Sequence, residues 1–192
     1  MPGQKATEAT RQEQILKAAH EVAVRRGIDG LTVRAVAARA RLSHGLVLFH
    51  FKRKDQLGLA LLDRVLASTV SLRIPDDIAA LPSPRERLQA PFRHEMIRFA
   101  EEPRPIRLLL EYWARGAHNA EIREKISAAM NRYRAAFRSI AVEHPGAAGL
   151  AAAAVSLIIG FPVQAMIDPE QFEVEEYIAA VQGLLGQMAR AA

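Results

Sequence analysis

"RLSHGLVLFHFKRKDQL", residues 41–57, combines two features that a single helix seldom needs together. Ser43 is placed to cap a helix, its hydroxyl able to accept from the free amides of the first turn. Gly45 follows, then a bulky apolar and aromatic run, then the bases Lys52, Arg53 and Lys54. A core helix does not require the bases, and a solvated basic face does not require the phenylalanines. The segment reads as a short helix with one side docked on protein and the other turned towards an anionic partner. Just upstream, Thr32 is a second cap, for a helix running to about Ala40 with Val33, Val36 and Ala37 inward. Before it, residues 11–26 carry an apolar stripe of Ile15, Ala18, Ala19, Val22 and Ala23 that stops at Gly27.

Helices under ten residues long are marginal alone. The two here are joined by two or three residues around Arg41 and Leu42, the spacing of a helix-turn-helix. In that geometry the second short helix enters a DNA major groove and the first supports it. Leu42, Val47 and Phe51 are predicted to hold the second helix on its neighbours, leaving Lys52 to Lys54 for phosphates.

The remainder is also helical in pattern, because no window sustains period-2 alternation while 3.6-residue spacing recurs. A longer helix is predicted over 54–72, with Leu57, Leu61, Leu62, Val65 and Leu66 on one side. "IPDDIAALPSP" (74–84) is the clearest break, with three prolines in eleven residues. Helices are then predicted at about 84–101, 104–117, 119–143, 147–167 and 170–190. The expected fold is all-α: an N-terminal three-helix helix-turn-helix domain joined by a long helix to a C-terminal helical bundle that dimerises. The expected boundaries are a flexible arm at 1–10, the helix-turn-helix domain at 11–53, the connecting helix at 54–73 and a ligand-binding and dimerisation domain at 74–192.

Charge supports this division. Residues 1–60 hold 11 Lys/Arg against 5 Asp/Glu, whereas the other 132 hold 15 against 16. A basic third on a nearly neutral body points to a polyanion met by the first part only. No cysteine is present, which excludes disulfides and thiolate metal sites and fits the cytoplasm. The start "MPGQKATEATRQ" lacks the apolar core of a signal peptide. Residues 146–167 are uncharged and long enough to span a membrane, but seven alanines, Pro162, Gln164 and the missing basic or Trp anchors favour a buried helix. No membrane partner is expected.

Catalysis finds little support. "HEMIR" (94–98) opens like a zinc-protease motif but has Arg98 where the second histidine must stand, and no two of the six histidines have helical ligand spacing. No enzyme activity, metal or cofactor is expected.

Residues 11–62 resemble the DNA-binding domain of TetR-family transcriptional regulators. The signs are "ILKAAHEVAVRRGIDGLTVRAVAARARLS", then Gly45, then "FHFKRKDQL" leading into a long helix. The all-helical body and "DPEQFEVEEYIAAVQGLL" near the C-terminus agree with that family more loosely. The resemblance implies a ligand-responsive regulator, usually a repressor, bound as a homodimer to a palindromic double-stranded operator and released by a small-molecule effector. It implies that Thr32 and Val33 begin the helix abutting the DNA backbone and that Arg34 reaches a base edge. Ser43, His44, Gly45, Leu46 and Phe49 match groove-facing positions, and His50 and Lys54 match phosphate-contacting ones. Three residues depart from the family pattern. Leu48 replaces a backbone-contacting tyrosine, Leu46 replaces a threonine, and Arg41 replaces the turn glycine.

The resemblance also implies an effector cavity in the body. Arg107, Glu111, Tyr112, Trp113, Met130, Tyr133 and Phe137 are its candidate contacts, although such bulky stripes are commonly core, and Arg107 and Glu111 stand four apart and can pair with each other. Leu150, Val155, Ile158, Ile159, Val181, Leu184 and Leu185 spread over more than one face, so a dimer interface is expected there. An architectural DNA-binding protein without a ligand, and a protein-interaction module without DNA, are the alternatives. The charge asymmetry weighs against the second.

Overall fold

A computed structural model describes residues 7–70, 78, 80–140 and 146–188. Among the described residues there are α-helices and no strand, as the periodicity predicts. The chain folds as two compact units, Met1–Thr69 with Leu108–Ile126, and Val70–Arg107 with Ser127–Ala192.

In the first unit, α1 (Glu8–Arg26) starts one turn earlier than the apolar stripe suggests, because the Thr7 hydroxyl accepts from Thr10 N and caps it. Its stripe, Ile15 to Ala23, is buried, and Gly27 ends it at φ 69°. The second helix, α2 (Val33–Ala40), is capped by Thr32, whose hydroxyl accepts from Ala35 N at 3.1 Å. α3 (His44–His50) is capped by Ser43, accepting from Leu46 N at 3.2 Å. Between them Arg41 takes the left-handed conformation, φ 55° and ψ 44°, that the departure from glycine makes costly. The turn is well tied: Arg41 N donates to Ala38 O, Leu42 N to Ala37 O at 2.9 Å, and the Gln14 side-chain amide to Ala40 O at 2.9 Å. α4 (Lys54–Thr69) buries Leu57, Leu61, Leu62, Val65 and Leu66. It ends at Thr69, short of the expected 72, and residues 71 and 72 lie outside the described residues. Most of the proline-bracketed break also lies outside them. α1 packs on α2 and α4, and α2 on α3.

The body continues with α5 (Pro84–Glu101), α6 (Pro103–Gly116), α7 (Ala120–Ile140) and α8 (Ala147–Ile167). The last predicted helix, 170–190, is two elements: a 3-10 turn at Pro169–Gln171 and then α9 (Val174–Met188). Phe172 is extended between them, and its ring packs 6.0 Å from that of Phe161. In the second unit α5 packs on α8 and α9 around Phe92, Met96, Phe161 and Ile178. α6 and α7 belong to both units, α6 passing into the first at Leu108 and α7 leaving it after Ile126.

α8 is the one described helix long and apolar enough to cross a membrane by composition. One of its faces is buried in the protein: Leu150, Ala151, Ala154, Val155, Ile158, Ile159, Phe161 and Pro162. Most of the residues expected at a dimer interface are therefore covered within the chain. Leu150, Val155, Ile158, Ile159 and Val181 are all buried by the chain itself, and of the named set Leu184 is the exposed one, at 48%. The side chain of Leu185 lies outside the described residues. A helix pattern shows how many faces are apolar, but not how many neighbours the same chain brings to them.

Candidate nucleic-acid interface

The two short helices present an outward surface built from their caps. Thr32, Arg34, Ser43, His44, Gly45, Phe49 and Lys54 are exposed, and Val33, Leu46 and His50 are half-buried. Each cap oxygen accepts a backbone bond and so keeps its O–H free to donate outward. Val47, fully buried, and Phe51 fix α3 on the protein, with Leu42 half-buried beside them. The face opposite Val47 is therefore the free one. A Cβ built on Gly45 meets nothing within 4 Å, so nothing inside the molecule demands glycine there.

Phe49 is 64% exposed, a large apolar cost on a soluble surface unless a partner covers it. Its ring is edge-on to His50 at 5.2 Å and carries the Lys52 ammonium 5.1 Å from its centroid. Lys52, Arg53 and Lys54 are all exposed at the start of α4. By contrast Arg39 is neutralised by Glu21, and Arg64 by Glu13 at 2.5 Å, so these two cations add less to the field than the sequence count suggests.

Of the candidate effector contacts, Glu111, Tyr112 and Trp113 belong to the first unit, and Arg107, Met130, Tyr133 and Phe137 to the second. Tyr112, 2% exposed, donates its hydroxyl to Gly58 O on α4 at 2.7 Å. Burial pushes its phenol well above the ordinary value near 10, against the pull of Arg115 and with help from Glu111 and Asp63. Glu111 accepts from Ile28 N at 2.7 Å, so its carboxylate serves the first unit. Trp113 is half-buried, with Nε1 shielded from solvent and no partner for it among the described residues. Arg107 is exposed. In the second unit Tyr133 is closed in: its hydroxyl donates to Glu95 at 2.6 Å, and its ring meets Phe137 edge-on at 5.5 Å. Burial, then the Glu95 charge, raises its phenol far above the ordinary range, and Arg98 opposes this. Met130 and Phe137 are buried in the same region.

Sequence reasoning missed three features. Glu95, 2% exposed, is held by Tyr133 and by Arg98, whose Nε and Nη2 donate at 3.1 and 2.5 Å. The i, i+3 spacing of Glu95 and Arg98 was available as a signal inside the failed zinc motif. The second feature is the Glu111–Ile28 bond, which no local pattern announces. The third is a cavity of about 400 Å³ in the second unit, lined by Phe99, Pro103, Phe161, Pro162, Met166 and Phe172 among others. Among the described residues no charged side chain lines it.

Comparison with known proteins agrees with the all-helical fold. Residues 15–61 match the family model of bacterial regulatory proteins of the tetR family, and 84–190 match that of the C-terminal region of BetI-type transcriptional repressors. An HTH-type transcriptional repressor of Mycobacterium tuberculosis is 45% identical over 51 residues, 27% of each chain. The chain thus matches about a quarter of the length of this curated relative. A transcriptional regulator of Rhodococcus sp. Rha1 has the same fold, with a TM-score of 0.77 at 22% identity over 94% of this chain and 97% of that one. So does a putative regulator of Saccharomonospora viridis in complex with choline, with a TM-score of 0.78 at 18% identity over 93% and 96%.

Proposed function

Because this chain belongs to the tetR family of bacterial regulatory proteins, we propose that it is a cytoplasmic repressor that binds a palindromic operator as a homodimer and releases it when a small-molecule effector binds its C-terminal body. The observation that carries the reading is the exposed face of α3, with Phe49 uncovered and three bases directly behind it. Arg34 reads a guanine edge through a bidentate pair. Ser43, His44, Gly45, Leu46 and Phe49 face the groove, where Leu46 and Phe49 offer only apolar contact, suited to thymine methyls. The Thr32 hydroxyl, the Val33 backbone, His50 and Lys54 meet phosphates and fix the register. Leu48 cannot supply a phosphate hydrogen bond, which shifts that burden to the bases.

Two copies are required to read a palindrome. In the first half of α8 the exposed residues are small, Ala148, Gly149, Ala152 and Ser156, which lets a second helix approach closely, and Ile167 at its end and Leu184 on α9 add exposed apolar surface. This moves the proposed dimer surface off Leu150, Val155, Ile158, Ile159 and Val181. The effector is assigned to the Phe99–Phe161–Phe172 cavity, in place of Tyr112 and Tyr133, whose hydroxyls are already engaged. Its lining suits a compact uncharged ligand.

Selection from random DNA tests the reading and should return one palindrome. Arg34→Ala should then relax one base position per half-site at a cost of roughly 1–3 kcal/mol, whereas Lys54→Ala should weaken all sequences alike and lower the salt slope by about one. Broad coverage with no preferred site, or two variants with the same preferences and salt slopes, would refute it.

A further inference from the structure

The turn after α1 is held from far along the chain. Ile28 N donates to Glu111 Oε2 at 2.7 Å across 83 residues of sequence. The carboxylate is pressed against the turn, since a Cβ at Gly27 would stand 3.1 Å from the same oxygen. Beside it on α6, Arg115 pairs with Asp29, and Tyr112 donates to Gly58 O near the start of α4 at 2.7 Å. Asp29 is 97% exposed, so that ion pair contributes little. The bonds made by Glu111 and Tyr112 are part-buried and carry the attachment.

Each tie lies one short step from a DNA-reading element. From Ile28 the chain reaches Thr32 and α2 through Leu31, which is 1% exposed and so moves with its surroundings. Gly58 is in the second turn of α4, four residues after Lys54. The same α6 helix begins at Pro103, which lines the apolar cavity of the second unit.

We propose that Glu111, supported by Tyr112, is a positioning residue for operator binding: it fixes the α1–α2 turn and the start of α4 in the one arrangement that suits the operator. This rests on the DNA-binding reading above. It also gives Glu111 and Tyr112 a role at the DNA-reading end in place of direct effector contact.

The test compares wild type, Glu111→Ala, Glu111→Gln and Tyr112→Phe on the selected operator and on versions with the half-sites one base pair closer or farther apart. Wild type should prefer one spacing sharply. Glu111→Ala should lose about tenfold on that operator, the scale of one charge-assisted hydrogen bond, and less on the other two, so that the spacing preference flattens. Its salt slope should not change, because no phosphate contact is removed. Glu111→Gln, whose amide oxygen still accepts, should restore most of the preference. Amide exchange at Ile28 should quicken in Glu111→Ala without DNA present. If Glu111→Ala does not fold, Tyr112→Phe carries the same comparison at Gly58.

An equal loss on all three operators is what simple destabilisation would give, and it overturns the proposal while leaving DNA binding intact. So does unchanged spacing preference or unchanged Ile28 exchange in a folded variant. A wild-type protein that selects no sequence overturns the DNA-binding reading instead, and this proposal with it.

Discussion

Tyr133→Phe removes one hydroxyl from the buried Glu95–Arg98–Tyr133 cluster and leaves the rest in place. The lost bond is a 2.6 Å O–H donation to Glu95 Oε2, and Glu95 is 2% exposed, so water cannot readily replace the donor. A hydrogen bond to a charged group is worth about 1.5–3 kcal/mol, which sets the expected loss. The ring itself fills the same space, and its edge contact with Phe137 persists. Arg98→Met is the harsher change. It strips both remaining donors from a buried carboxylate and should cost about 3–5 kcal/mol, the range for breaking a buried pair by removing one partner. Replacing both charges, Glu95→Met with Arg98→Met, should recover much of that loss, because no charge then stays buried unpaired. Urea denaturation at neutral pH measures all three, read as a shift of midpoint with unchanged slope. The reasoning fails if Tyr133→Phe costs less than about 0.5 kcal/mol, below the hydrogen-bond range, or if the double replacement is worse than Arg98→Met alone.

Arg41→Gly should stabilise the protein by about 0.5–1 kcal/mol, because the left-handed strain of about 1–2 kcal/mol outweighs the added entropy of an unfolded glycine; a lower urea midpoint would contradict this. Stability should also fall on alkaline titration. The folded protein keeps the Tyr112 and Tyr133 protons, whereas the unfolded chain releases them above about pH 10, so stability is full below that pH and declines above it. The decline should approach about 1.4 kcal/mol per pH unit for each phenol, and a Tyr112→Phe, Tyr133→Phe double variant with an undiminished slope would exclude these groups as its cause.

Local chemistry was readable from the chain itself. The caps Thr32 and Ser43, the stripe from Ile15 to Ala23, the stop at Gly27 and the short α2–α3 link all depend on neighbours within four residues, and spacing alone reports those. The same locality set the outward face of α3, since burying Val47 leaves Phe49 and Gly45 on the other side. It also flagged Arg41 as costly in a left-handed turn, and φ 55° is what the structure has. What spacing cannot report is which distant helix meets which face. Glu111 and Ile28 are 83 residues apart, Tyr112 and Gly58 54, and Tyr133 and Glu95 38. For that reason spacing could offer Glu111 only Arg107 as a partner, and could not show what the hydroxyls of Tyr112 and Tyr133 bond to. The apolar residues of α8 looked uncovered until the chain's own helices were placed on them. Periodicity fixes a helix and its faces, because both follow from 3.6 residues per turn; what covers each face depends on tertiary packing, and that decided the cavity, the buried carboxylate and the hold of α6 on the turn after α1.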